Sequence, residues 1–216
     1  MQGNIVTRDL VEKGHSVFIS SRRKESLAEM QKKFPSLPGQ SVDLGDLEAI
    51  VELIKTAEPA VIINCAEGDW NLNVYKAALQ GGAHVIDLGS DIPTTKEQIN
   101  LDKDFQEKGL IAITGCGSTP GVNNVMLSYA LKEFDKVNAV EAGFAWTSNI
   151  KQFVVPFSME SIIEEFTQHA PLVEKGEWKE KLPMETIVNK KFREIGEQKC
   201  FLVRHPETYT FFENYK

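Results

Sequence analysis

A doubly wound α/β fold with a parallel sheet is what this sequence predicts, and two observations carry the prediction. Short, nearly continuous apolar runs (Val17-Phe18-Ile19, Ala60–Asn64, Val85–Leu88, Leu110–Thr114) alternate with amphipathic segments of helical length. Strands covered on both faces read as such runs, and a helix after each strand returns the chain so that neighbouring strands run parallel. The alternation ends near Gly121. Domains are therefore expected at 1–121 and 122–216, the second a partial α+β unit.

The elements follow in order. Ile5, Val6, Leu10 and Val11 recur at helical spacing and Gly14 stands where a helix would stop, so a helix is expected over 4–13. Ser16–Ser20 is a strand composition, and Glu25–Phe34 a helix that Pro35 to Gly39 brings to an end. Ser41–Leu44 is a brief extended piece, after which Asp46 can cap a helix carrying Leu47, Ile50, Val51 and Ile54. Strand Ala60–Asn64, helix Leu72–Gln80 with Gly81-Gly82 behind it, strand Val85–Leu88, one helix around Lys96–Lys108 and strand Leu110–Thr114 complete the alternation. Beyond it come a helix from Val122 to about Lys132, an extended stretch Ala139–Trp146, and a helix from Ser158 with Ile162, Ile163 and Phe166 on one face. Pro171, Gly176 and Pro183 interrupt the charged stretch Ala170–Lys191, which reads as long loops.

Composition narrows the function classes. Among 216 residues, 31 acidic against 24 basic side chains leave a net charge of −7, which opposes a nucleic-acid surface and requires any anion site to be local. The longest apolar stretches fall far short of the roughly 20 residues a membrane helix needs, and Met1–Asp9 lacks the apolar core of a signal peptide. Three cysteines without disulfide or metal spacing suit a reducing, cytoplasmic setting, and no histidine has metal-ligand spacing.

A dinucleotide-binding (Rossmann) domain opens with a strand, then G-x-G-x-x-G, then a helix whose first amides receive the pyrophosphate. Here Gln2-Gly3 precedes the first helix, with Gly3 in the place of the third glycine. The expectation is a Rossmann domain lacking its first strand and first two fingerprint glycines, with Gln2 and Gly3 against the cofactor. An NAD site would place a carboxylate at the end of the next strand, on the ribose hydroxyls. That place holds Ser20-Ser21-Arg22-Arg23. Ser21 can donate to a 2′-phosphate, and Arg22 or Arg23 can pair with it bidentately, so NADP is the expected cofactor; a solvated basic turn is the alternative.

Ligands of doubly wound sheets lie beyond the carboxyl ends of the strands. Asp43-Leu44 would border the adenine, and Asn64-Cys65-Ala66 would bring backbone close to the cofactor. Asp87 ends the next strand, either as a proton-handling catalytic group or as the anchor of its own turn. The last strand runs into Gly115-Cys116-Gly117-Ser118-Thr119-Pro120-Gly121-Val122-Asn123-Asn124, where Cys116 would line the cofactor. Gly117, Pro120, Gly121, Asn123 and Asn124 would face a substrate; for the two asparagines, helix capping is the alternative.

This turn, together with the end of strand Ala60–Asn64 and His84-Val85-Ile86-Asp87-Leu88-Gly89, resembles the saccharopine dehydrogenase family, including saccharopine reductase and carboxynorspermidine dehydrogenase. Pro156–Ile162 and Arg204-His205-Pro206-Glu207 are similar to that family's second domain. Thr119-Pro120-Gly121 departs from the Asp-Pro-Gly frequent in relatives, which bears on the substrate. The resemblance implies a homodimeric NADP-dependent oxidoreductase of amino-acid or polyamine metabolism. Its chemistry would be reduction of an imine formed from an amino acid, or the reverse oxidation of a secondary amine on its CH–NH bond.

Two other readings stand beside it. Cys116, at what reads as a helix entrance, could be the nucleophile of a semialdehyde dehydrogenase, but with no histidine nearby in the sequence a small buried residue is the favoured reading. Lack of the first strand suggests instead a non-catalytic fragment kept for binding or interaction. Tyr209, Phe211, Phe212 and Tyr215 are expected to be exposed and to need either a partner surface or further sequence to cover them.

Overall fold

A computed structural model describes residues 2–145, 149–152 and 159–215, with the side chains of 160 and 161 left aside. The chain divides into two compact units, 1–118 and 119–216.

The first unit alternates helix and strand. Helix α1 (Gln2–Glu12) ends at Gly14, whose φ of 78° suits glycine. Strand β1 (Ile19–Ser21) leads to α2 (Lys24–Lys33), and β2 (Gly39–Ser41) to α3 (Leu47–Ala57). The Asp46 side chain caps α3 by accepting from the Ala49 amide at 3.0 Å. Next come β3 (Val61–Asn64), α4 (Asn71–Gly81) closed by Gly82 at φ 79°, and β4 (His84–Asp87). Where one helix is expected around 96–108 there are two, α5 (Ile92–Ile99), capped by Asp91, and α6 (Asp102–Glu107). The chain turns at Asn100-Leu101, so that α5 buries Ile92, Thr95 and Gln98 while α6 buries Phe105. Strand β5 (Ala112–Ile113) closes the unit.

All ladders here are parallel. One sheet is β1-β2 and the other β3-β4-β5, with Asn64 opposite Asp87 at the strand ends. Strands β1 and β2 are displaced from the expected Ser16–Ser20 and Ser41–Leu44, because only the residues that face each other across the pair, 19–21 and 39–41, form a ladder. Helix α4 carries the core. Ala77 packs into a cluster with Val42, Ile50, Val51, Leu53, Ile54 and Ala83; Val74, Tyr75, Ala78 and Leu79 pack into another with Val85 and Phe105. Gly81 permits the close approach of α3: a Cβ there would run into Ile54 Cγ2.

In the second unit, α7 (Val122–Ala130) is followed by a 3-10 turn at 131–133. Over 139–145 of the extended stretch expected at 139–146 no strand ladder forms, and Trp146 lies outside the described residues, as do 153–158 of the family-like segment. Helix α8 (Met159–Thr167) precedes two antiparallel hairpins, β6-β7 (Ala170–Glu174, Glu177–Lys181) and β8-β9 (Val188–Phe192, Gly196–Cys200), and then α9 (Glu207–Asn214). The hairpins correct the expectation of irregular loops over 170–191. Lys175 and Gly176 both adopt positive φ, 54° and 81°, the two-residue turn whose twist matches antiparallel strands. The C-terminal aromatics are also less exposed than expected. Tyr209, Phe211 and Phe212 are half-buried, with the Phe212 ring edge-on to Trp178 at 5.4 Å, and only Tyr215 is exposed.

Candidate functional site

The carboxyl ends of the first unit's strands gather most of the residues singled out in the sequence. Ser21, half-buried, ends β1, and the exposed Arg22 and Arg23 lead into α2. Ser41 Oγ donates to the Arg22 carbonyl at 2.9 Å, which pins the turn while leaving the guanidinium groups out of the ladder. Neither the Ser21 hydroxyl nor either guanidinium has a hydrogen-bond or ion-pair partner among the described residues, and the strand ends without a carboxylate. Such a turn has unspent donors and positive charge at a helix N-terminus, where the helix dipole does not favour cations. An anion there would satisfy both. This donor set fits a 2′-phosphate.

Asp43 and Leu44 follow β2. Asp43 Oδ1 accepts from the Gly45 amide at 2.9 Å and the Leu44 carbonyl from Asn73 Nδ2 at 2.9 Å, which shapes the turn. Gly3, in the first turn of α1, sits against the end of β3: a Cβ at Gly3 would be 3.7 Å from Cys65 Cβ. Gln2 is exposed beside it. Asn64 points inward. Its Nδ2 donates to Asn71 Oδ1 at 2.6 Å and its Oδ1 accepts from the Ala66 amide at 3.1 Å, leaving the exposed Ala66 and the half-buried Cys65 at the rim. Burial pushes the Cys65 thiol up.

A groove of about 410 Å³ is lined by Ile5, Val6, Arg8, Asp9, Leu10 and Glu12 of α1 and by Ile63 of β3, Ile86 of β4, Leu88 and Cys116. Cys116 is exposed rather than the small buried residue expected, because the turn after β5 carries it to the rim while its amide donates to the Asp87 carbonyl at 2.7 Å. Burial and the neighbouring Asp87 charge both hold its thiol above the ordinary cysteine value. The next helix, α7, starts only at Val122, so a helix dipole does not activate this sulfur in the way the sequence suggested.

Asp87 itself is completely buried and accepts four hydrogen bonds. The Gly89 and Gly115 amides donate to Oδ1 at 2.6 and 2.9 Å, and Tyr75 Oη and Gln98 Nε2 donate to Oδ2 at 2.6 and 2.7 Å. Burial and Asp87 raise the Tyr75 phenol far above its usual value, keeping it a neutral donor. Sequence reasoning does not single out Tyr75 or Gln98, because their role depends on the Asp87 carboxylate that packing brings to them.

In the second unit the glycine-rich turn continues through a buried Pro120 and into Gly121, which precedes α7 with φ 128°; Gly117, in the first unit, is half-buried. Asn123 and Asn124 are engaged: Asn123 Nδ2 donates to Glu207 Oε1 at 3.3 Å and Asn124 Nδ2 to Thr210 Oγ1 at 2.8 Å, so both amides tie α7 to α9. Glu207 also faces His205, whose ring lies between Glu207 Oε2 at 3.2 Å and Glu165 Oε1 at 3.3 Å. Burial lowers the imidazole's affinity for a proton, but the two carboxylates outweigh it and raise its pKa to about 9.

Residues 1–113 match the family model for the saccharopine dehydrogenase NADP-binding domain. The chain belongs to the saccharopine dehydrogenase family. Its first unit is the NADP-binding domain of that family, and its cofactor is NADP. Among curated relatives, it is 26% identical over 209 residues to the carboxynorspermidine synthase of Vibrio alginolyticus, covering 91% of this chain and 50% of the relative. It is 28% identical over 189 residues to the carboxyaminopropylagmatine dehydrogenase of Synechocystis, covering 83% and 47%. The fold matches saccharopine dehydrogenase (L-Glu forming) of Saccharomyces cerevisiae with a TM-score of 0.64 at 15% identity, over 93% of this chain and 47% of that one. The chain thus spans about half the length of the relatives it matches. Among the described residues, no helix is long and apolar enough to cross a membrane.

Proposed function

We propose that this chain carries the cofactor domain and part of the substrate domain of an NADP-dependent oxidoreductase acting on the CH–NH bond of an amino-acid-derived secondary amine or imine. The observation that carries the reading is the turn after β1, where, among the described residues, a hydroxyl and two guanidinium groups have no hydrogen-bond or ion-pair partner and the strand ends without a carboxylate. Ser21, Arg22 and Arg23 hold the 2′-phosphate. Asp43, Leu44, Asn64, Cys65, Ala66 and Cys116 shape the adenine and nicotinamide ends, and Gln2 and Gly3 meet the pyrophosphate. NADPH, when bound, supplies the hydride that reduces the imine.

Relatives named for carboxynorspermidine and carboxyaminopropylagmatine direct the substrate toward a polyamine-type amine bearing a carboxylate. Gly117, Pro120 and Gly121 face it, while Asn123 and Asn124 act by holding α9 in place. Asp87 has no accessible surface and is assigned no proton-transfer role. A raised Cys116 thiol disfavours the semialdehyde reading, because the neutral thiol is the weaker nucleophile. The stripe Val122, Val125, Met126 and Tyr129 on α7, exposed along its length, supports a homodimer, and three free cysteines support a reducing cytoplasm.

The test is a fluorescence titration with NADPH and NADH of the chain itself and of a form preceded by an apolar strand ending in Gly-x-Gly. Charge-assisted hydrogen bonds contribute about 1.5–3 kcal/mol each. Arg22→Ala with Arg23→Ala should therefore weaken NADPH binding by about tenfold or more and leave NADH binding as it was. If neither form binds NADPH, or if both bind the two cofactors alike, the proposal fails.

A further inference from the structure

Apart from Thr7 on α1, the buried polar side chains of the first unit lie together. Asn64, Asn71, Asp87, Thr95 and Gln98 are all buried, although each has a substantial desolvation cost to offset. They come from the ends of β3 and β4 and from one face each of α4 and α5. Asn71 and Tyr75 lie one helical turn apart on α4, as do Thr95 and Gln98 on α5.

They converge on the backbone of three turns. Asp87 Oδ1 takes the amides of Gly89 and Gly115, and its carbonyl takes that of Cys116. Tyr75 and Gln98 hold the other carboxylate oxygen from behind. Asn71 Nδ2 donates to the Gly89 carbonyl at 3.2 Å while its Oδ1 accepts from Asn64. Gln98 Oε1 in turn accepts from Ser90 Oγ and Thr114 Oγ1, each at 3.2 Å. A Cβ on Gly68 would fall 2.8 Å from Ser90 Cα, so the turns after β3 and β4 also meet backbone to backbone. Gly89 and Gly115 adopt φ of 120° and 72°, conformations that glycine reaches without strain.

We propose that Asp87, backed by Tyr75 and Gln98, is a positioning residue that sets the turns after β4 and β5 at the cofactor-facing edge of the sheet. The inference rests on the reading above for what those turns face. With no accessible surface, Asp87 touches neither cofactor nor substrate, and it acts through the glycine amides and the Cys116 backbone. A buried carboxylate with four donors is held far more rigidly than a loop carbonyl, and turns that line a cofactor have to be held to fractions of an ångström.

Cys116 supplies a readout independent of NADPH, because its exposed thiol sits on the positioned turn and is held up in part by the Asp87 charge. Asp87→Ala, Asp87→Asn and Tyr75→Phe should be compared with the parent chain in NADPH affinity and in the pH profile of iodoacetamide labelling at Cys116, resolved from Cys65 and Cys200 by peptide mass. Asp87→Ala should lower NADPH affinity by about tenfold or more and make Cys116 react severalfold faster at neutral pH, with Cys65 and Cys200 unchanged. Asp87→Asn should regain part of the affinity, since its carbonyl oxygen still accepts from both glycine amides, but it should keep the faster Cys116. Tyr75→Phe should weaken NADPH binding without removing the charge, and it decides the matter together with Asp87→Asn if the alanine variant does not fold. Folded variants that retain parental NADPH affinity and a parental Cys116 profile would overturn the proposal. If the parent chain fails to bind NADPH, the functional reading falls on its own, and the Cys116 labelling rate in Tyr75→Phe, which keeps the Asp87 charge, judges the positioning role: a changed rate supports it and a parental one overturns it.

Discussion

Stability of the second unit should fall as the solution is made alkaline, through His205. The imidazole lies between Glu165 and Glu207 with about a fifth of its side chain exposed, and its pKa rises from 6.5 to about 9. A group whose folded pKa exceeds its unfolded pKa stabilises the fold fully below the unfolded value, here 6.5, and loses that contribution as pH climbs through the folded value, here about 9. The difference of 9 − 6.5 pKa units, at about 1.36 kcal/mol per unit, amounts to about 3 kcal/mol. His205→Gln removes the cation and leaves the buried Glu207 facing Glu165 without a charge between them. Urea denaturation followed by Trp178 fluorescence, in chains where Trp70 and Trp146 are replaced by Phe, reports this unit. The parent should lose about 3 kcal/mol between pH 6 and pH 10, whereas His205→Gln should be weaker at pH 6 and nearly independent of pH over that window. A parent curve that stays flat from pH 6.5 to 9.5, or a His205→Gln deficit equally large at both ends, would refute the assignment of the proton to this ring.

Two further outcomes test the first unit. Gly81→Ala should destabilise it by about 1–3 kcal/mol, since the new methyl meets Ile54 inside the α3–α4 contact; thermal unfolding in parallel with the double change Gly81→Ala, Ile54→Val should show partial recovery. Asp46→Ala should cost about 1 kcal/mol by leaving the Ala49 amide without its acceptor, and Asp46→Ser should restore most of it.

Local signals made much of the first unit legible. A period of 3.6 with Asp46 at one end marks α3, and Gly82 marks the end of α4, because capping is decided within a turn of the chain. The strand end Ser21 followed at once by the helix start after Arg22-Arg23 is equally a short-range arrangement, and on it rests the proposal of a phosphate site there. Hairpin β6-β7 was not legible, since its turn needs positive φ at Lys175, a residue type that gives no sign of it, and proline in β6 argued against a strand.

Residue types along the chain determined the order of helices and strands, the parallel character of the first unit and the preference for a phosphorylated cofactor. Only the tertiary structure decided what Asp87, Asn123 and Asn124 do. Asp87 meets its donors from 11 and 12 residues away on two helices and from a glycine amide 28 residues on, while the asparagines find α9 at separations of 84 and 86. A carboxylate or an amide has the same formula whether it faces a ligand or a buried amide of its own chain, and which of these it faces depends on where packing brings the distant backbone.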